Sequence, residues 1–227
     1  MKNSNNKYYE VIKMKLDGIK ANFLGDSITE GCGTTDMVNN PFHALIGKKY
    51  GMTARNYGIG GTRIAKQRTP SVDNPRWDLD FCQRVEEMDK DAELVVIFGG
   101  TNDFGHGDAP FGEAADRTPD TFIGACHHLF RRAIENYPTA KIVVMTPLHR
   151  ESEDNPDSKG HTLTDYVEVI RKVAEYYSLP VIDLWRISGI QPRVGVIKEK
   201  YCPDGLHPND AGHRKMADVI EAALLGM

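Results

Sequence analysis

Four runs of apolar residues stand out from an otherwise mixed chain: IKANFL (19–24), ELVVIF (93–98), KIVVMT (141–146) and PVIDLW (180–185). Each is short, nearly continuous and followed by polar or glycine-rich sequence, as expected of strands buried on both faces. TARNYGI (53–59) carries a weaker version of the pattern and predicts an edge strand. Between the runs the apolar period becomes helical. Phe122, Cys126, Leu129, Phe130, Ala133 and Tyr137 share one face after Thr118-Pro119, which reads as a cap with proline in the first turn. A second helix follows Thr162, with Tyr166, Ile170, Val173, Ala174 and Tyr177 on one face, and a last one carries Met216, Ile220, Ala223 and Leu224. Strands alternating with helices predict a parallel sheet covered on both sides, a doubly wound three-layer α/β/α sandwich.

Length and composition fit that picture. The 227 residues, 40% hydrophobic and 26% charged, are enough for one soluble domain with a sizeable core. We place a single domain over residues 19–227, preceded by an N-terminal arm over 1–18. A formal net charge of -4 supplies no basic stripe for a phosphate backbone, so nucleic acid is not expected as a partner. Without a signal-peptide core or a membrane-length apolar run, the expectation is a cytoplasmic protein with no membrane partner. Cys32, Cys82, Cys126 and Cys202 form no C-x-x-C pair and are expected to be free thiols, most of them partly buried.

Ligands of open α/β sheets bind beyond the carboxyl ends of the strands, so the chemistry should lie in the segments that follow the apolar runs. Those segments are GDSITEG (25–31), GIGGT (58–62), GGTND (99–103), TPLHR (146–150) and, before the last helix, CPDGLHPND (202–210). They offer the hydroxyl of Ser27, the backbone amides of Gly60 and Gly61, the side-chain amide of Asn102, and Asp204 with His207. A hydroxyl, a base, an orienting carboxylate and oxyanion donors are the groups that acyl transfer requires. Two other readings of Ser27 fail on spacing. A phosphate loop needs G-x-x-x-x-G-K-[ST], but Cys32 stands where the lysine belongs, and the G-x-S-x-G elbow fails because Thr29 replaces its second glycine. Asp204 and His207 are three apart, which puts both side chains on one side of a tight or helical turn. Asp26 and Asp103 are expected to stabilise turns. His106, His149 and His161 fall in no H-E-x-x-H spacing, and no metal site is expected.

Taken together, these blocks resemble those of the GDSL-type, or SGNH, hydrolases. All four appear in order between residues 25 and 208: GDSIT, NYGIGGT (56–62), GTND (100–103) and DGLHP (204–208). The resemblance implies a flavodoxin-like fold around a mainly parallel five-stranded sheet, and ester hydrolysis without metal or organic cofactor. It also implies the roles: Ser27 as nucleophile, His207 as base, Asp204 as its orienting carboxylate, and Ser27, Gly61 and Asn102 as oxyanion donors.

The substrate expectation rests on two loops, 103–119 and 147–161, which should border the serine. They contain one Leu, two Phe and no Ile, Val or Met, too little for a groove that buries a long acyl chain. Their polar side chains, with Phe104 and Phe111 as aromatic faces, suit a short, acetyl-type ester of a carbohydrate or other polar metabolite. The alternatives are a thioesterase or lysophospholipase with the same triad, and a non-catalytic flavodoxin-like module that cradles a ligand. Self-association into a homo-oligomer is left open.

Overall fold

The computed structural model describes residues 14–227. Of the arm expected over 1–18, residues 1–13 therefore lie outside the described residues; Leu16 is fully buried, and the Gly18 N–H donates to the Tyr50 carbonyl at 2.9 Å.

In chain order the elements are β1 (Lys20–Gly25), α1 (Ser27–Glu30), α2 (Phe42–Tyr50), β2 (Thr53–Gly58), a 3-10 turn (Pro75–Asp78), α3 (Phe81–Glu87), β3 (Leu94–Phe98) and α4 (Thr101–His106). They continue as α5 (Phe122–Asn136), β4 (Lys141–Met145), α6 (Leu163–Tyr176), β5 (Val181–Ile182), α7 (Leu184–Ile187), α8 (Gly195–Tyr201) and α9 (Asp210–Leu225). The sheet has the order β2-β1-β3-β4-β5, and every pairing is parallel. Phe23 pairs with Asn56 on one side and Val96 on the other, and Val96 with Val143. The chain winds outward from β1 in both directions. The order thus reverses between β1 and β3, the switch point that opens a crevice at the carboxyl edge.

Side chains alternate between two cores, as the two-residue period of a strand requires. Leu24, Val95, Ile97, Ile142 and Val144 pack under α3, α5 and α6, whereas Phe23, Val96, Phe98, Val143 and Met145 pack under α2 and α9. Burial on both faces is why the central runs read as continuous apolar sequence. TARNYGI indeed forms the edge strand β2.

Two expectations are corrected. PVIDLW forms only a two-residue strand, because Asp183 ends it. The Asp183 carboxylate accepts hydrogen bonds from Thr146 Oγ1 at 3.0 Å and Arg171 Nη2 at 2.9 Å, and Leu184 and Trp185 then enter the core from α7. The cap of α5 is Thr121, whose hydroxyl accepts the Gly124 N–H at 3.1 Å, not Thr118-Pro119; the Pro119 carbonyl instead accepts the Lys66 N–H at 2.9 Å. The helix after Thr162 starts with a capping box between Thr162 and Asp165.

Phe23 lies fully buried on the central strand against Phe42 and His43. Phe23→Ala should cost about 3–5 kcal/mol. Thr162→Ala should cost only about 1 kcal/mol. Urea unfolding followed by circular dichroism should show that gap at an unchanged m-value.

Candidate active site

Ser27 opens α1 directly after β1. Asp26 makes the turn: its Oδ1 accepts the Ile28 N–H at 3.0 Å, and Gly31, at φ 108°, closes the short helix by donating to the Ser27 carbonyl. The serine is thereby held at the strand's end, only 7% exposed. Burial pushes the Asp26 carboxyl up to about 6, against the opposing pull of the Ile28 N–H and of His207 and Arg84.

Ser27 Oγ lies 3.0 Å from His207 Nε2, although 180 residues separate them. The Asp204 turn sets the ring. Oδ1 accepts the backbone N–H groups of Leu206 at 2.8 Å and His207 at 2.6 Å, and Oδ2 meets His207 Nδ1 at 2.7 Å. With Nδ1–H donating to the carboxylate, Nε2 is left as the acceptor facing the serine hydroxyl. Partial burial works to raise the Asp204 pKa, but its hydrogen bonds from the His207 backbone and ring and from Leu206 outweigh it and hold the carboxyl below its usual range. The Asp204 side chain is 55% exposed, so this carboxylate sits at the rim.

The third group lies across the switch point. Asn102, in the first turn of α4, donates through Nδ2 to the Thr62 carbonyl at 3.0 Å, and among the described residues its second amide hydrogen meets no protein acceptor. Gly60 and Gly61 differ in a way the sequence hides. The Gly60 N–H is held by Glu30 Oε2 at 2.7 Å, whereas among the described residues the Gly61 N–H meets no protein acceptor. Gly61 has φ +77°, and a Cβ there would fall 2.1 Å from Trp77 Nε1, so only glycine fits beneath that indole. Ser27 supplies a further amide, since the first N–H of a helix has no intrahelical acceptor.

Two supporting residues, Arg84 and Glu30, went unnoticed in the sequence. Arg84, 5% exposed, donates to the Tyr57 carbonyl, to the Gly25 carbonyl at 3.1 Å and to Thr62 Oγ1 at 2.8 Å, and burial lowers its pKa to about 10. Glu30 joins Gly60 to Arg76, whose Nη2 is 2.5 Å from Oε1. Asp103, expected to stabilise a turn, reaches outside its own, accepting the Ile64 and Ala65 N–H groups at 2.9 Å each, and burial pushes its carboxyl up to about 6. Only Glu30 carried a signal, as an acid three residues after Ser27.

The loop aromatics need correcting. Phe111 packs on Phe122 and Tyr166 with His161 stacked on it at 3.8 Å, whereas Phe104, buried against Tyr166, still lines the cavity of about 290 Å³ between α4 and the 147–161 loop. The aromatic surface beside Gly61 belongs to half-buried Trp77, with the His106 ring 4.8 Å away. The 147–161 loop does reach the site: the Glu151 N–H donates to the Gly205 carbonyl at 2.9 Å, inside the Asp204–His207 turn. A cavity of about 580 Å³ between Phe111, α5 and α6 is lined by none of Ser27, Asn102 or His207. Cys82, Cys126 and Cys202 are buried, Cys32 is half-buried, and all four are free thiols. Among the described residues, no cluster of three His, Cys, Asp or Glu side chains is placed to hold a metal ion, and no helix is long and apolar enough to cross a membrane.

The sheet order and its two helical layers are those of SGNH-type hydrolases, a class of carboxylic ester hydrolases. The sequence pattern of the GDSL-like lipase/acylhydrolase family matches residues 23–215, and the chain belongs to that family. It is 26% identical to an acetylxylan esterase of Xylanibacter ruminicola over 92% of its own length, spanning 44% of that longer protein. It is also 26% identical to a GDSL lipase of Mycobacterium tuberculosis, covering 90% of this chain and 80% of the lipase. A crystal structure of a Lactobacillus plantarum protein, 26% identical, superposes with a TM-score of 0.79 over 92% of this chain and 97% of that one.

The raised carboxyl of Asp26 has a measurable consequence. A folded-state pKa of about 6, above the usual carboxylate range, means that its contribution to stability is present in acid and is lost as pH rises toward 6. Asp26→Asn keeps the acceptor for Ile28 and removes the titration. Between about pH 4 and pH 7 the wild type should therefore lose stability relative to the variant, by on the order of 3 kcal/mol. Parallel denaturation curves at the two pH values check this, and a constant difference between the proteins would contradict it.

Proposed function

We propose that the protein is a serine esterase that hydrolyses short-chain, acetyl-type esters of a carbohydrate or other polar metabolite through an acyl-enzyme. The observation that carries this reading is the chain of contacts from Ser27 Oγ to His207 Nε2 at 3.0 Å and from His207 Nδ1 to Asp204 Oδ2 at 2.7 Å.

His207 takes the Ser27 proton as the oxygen attacks the ester carbonyl, then returns it to the departing alcohol. Asp204 keeps the ring in the required tautomer and stabilises its charged form. The oxyanion is met by the amides of Ser27 and Gly61 and by the remaining Nδ2–H of Asn102, donors fixed before the reaction begins. Water then repeats the cycle on the acyl-serine. A non-catalytic ligand cradle has no need of a histidine held between a carboxylate and a serine.

Two features support the substrate class. The cavity of about 290 Å³ between α4 and the 147–161 loop is, like the 580 Å³ one, lined by none of Ser27, Asn102 or His207, but it opens beside Arg150, whose Nη1 holds the Thr101 carbonyl next to Asn102, and its mainly polar lining gives a long acyl chain no aliphatic wall. Trp77 and His106 present an aromatic surface beside Gly61 on which a sugar ring can lie. The name of the acetylxylan esterase relative points in the same direction.

Ser27→Ala should lower kcat by about 10⁴-fold or more with the fold unchanged. A folded variant that retains a tenth of wild-type activity would reject the assignment. Asn102→Ala should lower kcat by about 10²- to 10³-fold with a smaller change in KM, the cost of one oxyanion donor. An effect confined to KM would make Asn102 a substrate-positioning residue instead. Across p-nitrophenyl esters from acetate to decanoate, kcat/KM should fall with chain length. A maximum at eight carbons or more would favour the lysophospholipase or thioesterase reading.

A further inference from the structure

Among the described residues, the half-buried Arg150 lies at this edge of the sheet with no carboxylate paired to its charge. The other arginines around the site are committed: Arg63 pairs with Asp78 at 2.9 Å, Arg76 with Glu30 at 2.5 Å, and Arg84 with backbone carbonyls. Arg150 leaves the loop after β4 and crosses to α4. There Nη1 donates to the Thr101 carbonyl at 3.1 Å, next to Asn102, and the guanidinium lies 5.4 Å over the Phe104 ring. A Cβ on Gly105 would come within 2.8 Å of Nη1, so this glycine lets the arginine lie against the helix. Among the described residues no carboxylate forms an ion pair with it.

The guanidinium faces the cavity of about 290 Å³ between α4 and the 147–161 loop, which His106, Ser152, Asn155, Ser158 and Lys159 also line. That cavity's one carboxylate, Asp157, is already engaged by the Tyr166 hydroxyl at 2.5 Å and by Lys159 Nζ at 3.2 Å. Lys159 and Asp157 therefore cancel, and Arg150 leaves a single positive charge. Burial works against that charge, whereas the fields of Asp26 and Asp204 support it, which puts the guanidinium within electrostatic reach of the catalytic groups. Among the described residues, Arg150 Nε and Nη2 meet no acceptor and form a planar pair of donors, the geometry that matches a carboxylate in bidentate fashion.

We infer that Arg150 and this cavity form a subsite for a carboxylate on the substrate, so that the preferred esters are those of hydroxy acids, acidic sugars among them. A monoanion fits better than a phosphate dianion, because only one charge is unmatched and Asp26 and Asp204 lie close by. The inference rests on the esterase reading above and narrows its substrate class.

The test compares kcat/KM for matched pairs: acetoxyacetate with acetoxyacetamide, and 4-acetoxybenzoate with 4-acetoxybenzamide. The wild type should prefer the carboxylate in at least one pair by about tenfold or more, a preference that weakens in high salt. Arg150→Gln should bring that ratio close to one, and Arg150→Lys should retain part of it. If Arg150 only ties the loop to α4, both members of a pair will slow together and the ratio will persist in Arg150→Gln, which overturns the inference. A wild-type ratio at or below one in every pair overturns it without any variant, and faster turnover of 4-acetoxyphenyl phosphate than of 4-acetoxybenzoate overturns the choice of carboxylate. Hydrolysis of none of these esters, nor of p-nitrophenyl acetate, would instead refute the esterase reading itself.

Discussion

A buried guanidinium holds the carboxyl edge of this sheet together. Where parallel strands end, their last carbonyls lose their ladder partners, yet beneath a packed loop they still need donors. Arg84 adds donors there, reaching the Gly25 carbonyl at the end of β1, which also accepts the Ile59 N–H at 3.1 Å, the Tyr57 carbonyl near the end of β2, and the Thr62 hydroxyl in the loop beyond. The Thr62 carbonyl in turn accepts the Asn102 amide. The serine turn, the glycine loop and the asparagine helix are thus fixed to one another through one cation. Its burial is tolerable because nearly every face of the fork is engaged and the fields of Asp26 and Asp80 favour the charge.

Around that anchor the remaining contacts are divided between the two sides of the switch point. On the β2 side, Glu30 takes the Gly60 amide and leaves the Gly61 amide open beneath Trp77. On the β4 side, the 147–161 loop supports the Asp204–His207 turn through Gly205 and brings Arg150 onto α4. The histidine arrives from the far end of the chain on a turn built around one carboxylate, which organises two backbone N–H groups and the ring together. Preorganisation of this kind comes from hydrogen bonds to committed partners, so little has to reorder when charge develops.

Much of this was legible in the sequence, for identifiable reasons. β1, β3 and β4 are buried on both faces, and continuous apolar runs announce them; the four motif blocks fall at strand ends, where the architecture puts ligands. Asp183 hid inside an apolar run because a short run does not distinguish a strand from the start of a helix. Thr118-Pro119 imitated the cap that Thr121 makes. Phe111 looked available because a loop's composition says nothing about which of its side chains turn inward, and it faces the α5–α6 core. Arg84 and Arg150 gave no signal at all, since an arginine's partners here are carbonyls and rings contributed by distant segments.

The account depends most on Ser27 being a nucleophile activated by His207. The direct measurement is reaction with a fluorophosphonate, followed by peptide mapping in the wild type and in His207→Ala. The account predicts one phosphonyl group per chain, carried by Ser27, and labelling slowed by orders of magnitude in the variant. Label on another residue, or labelling of Ser27 at an equal rate without His207, would contradict it.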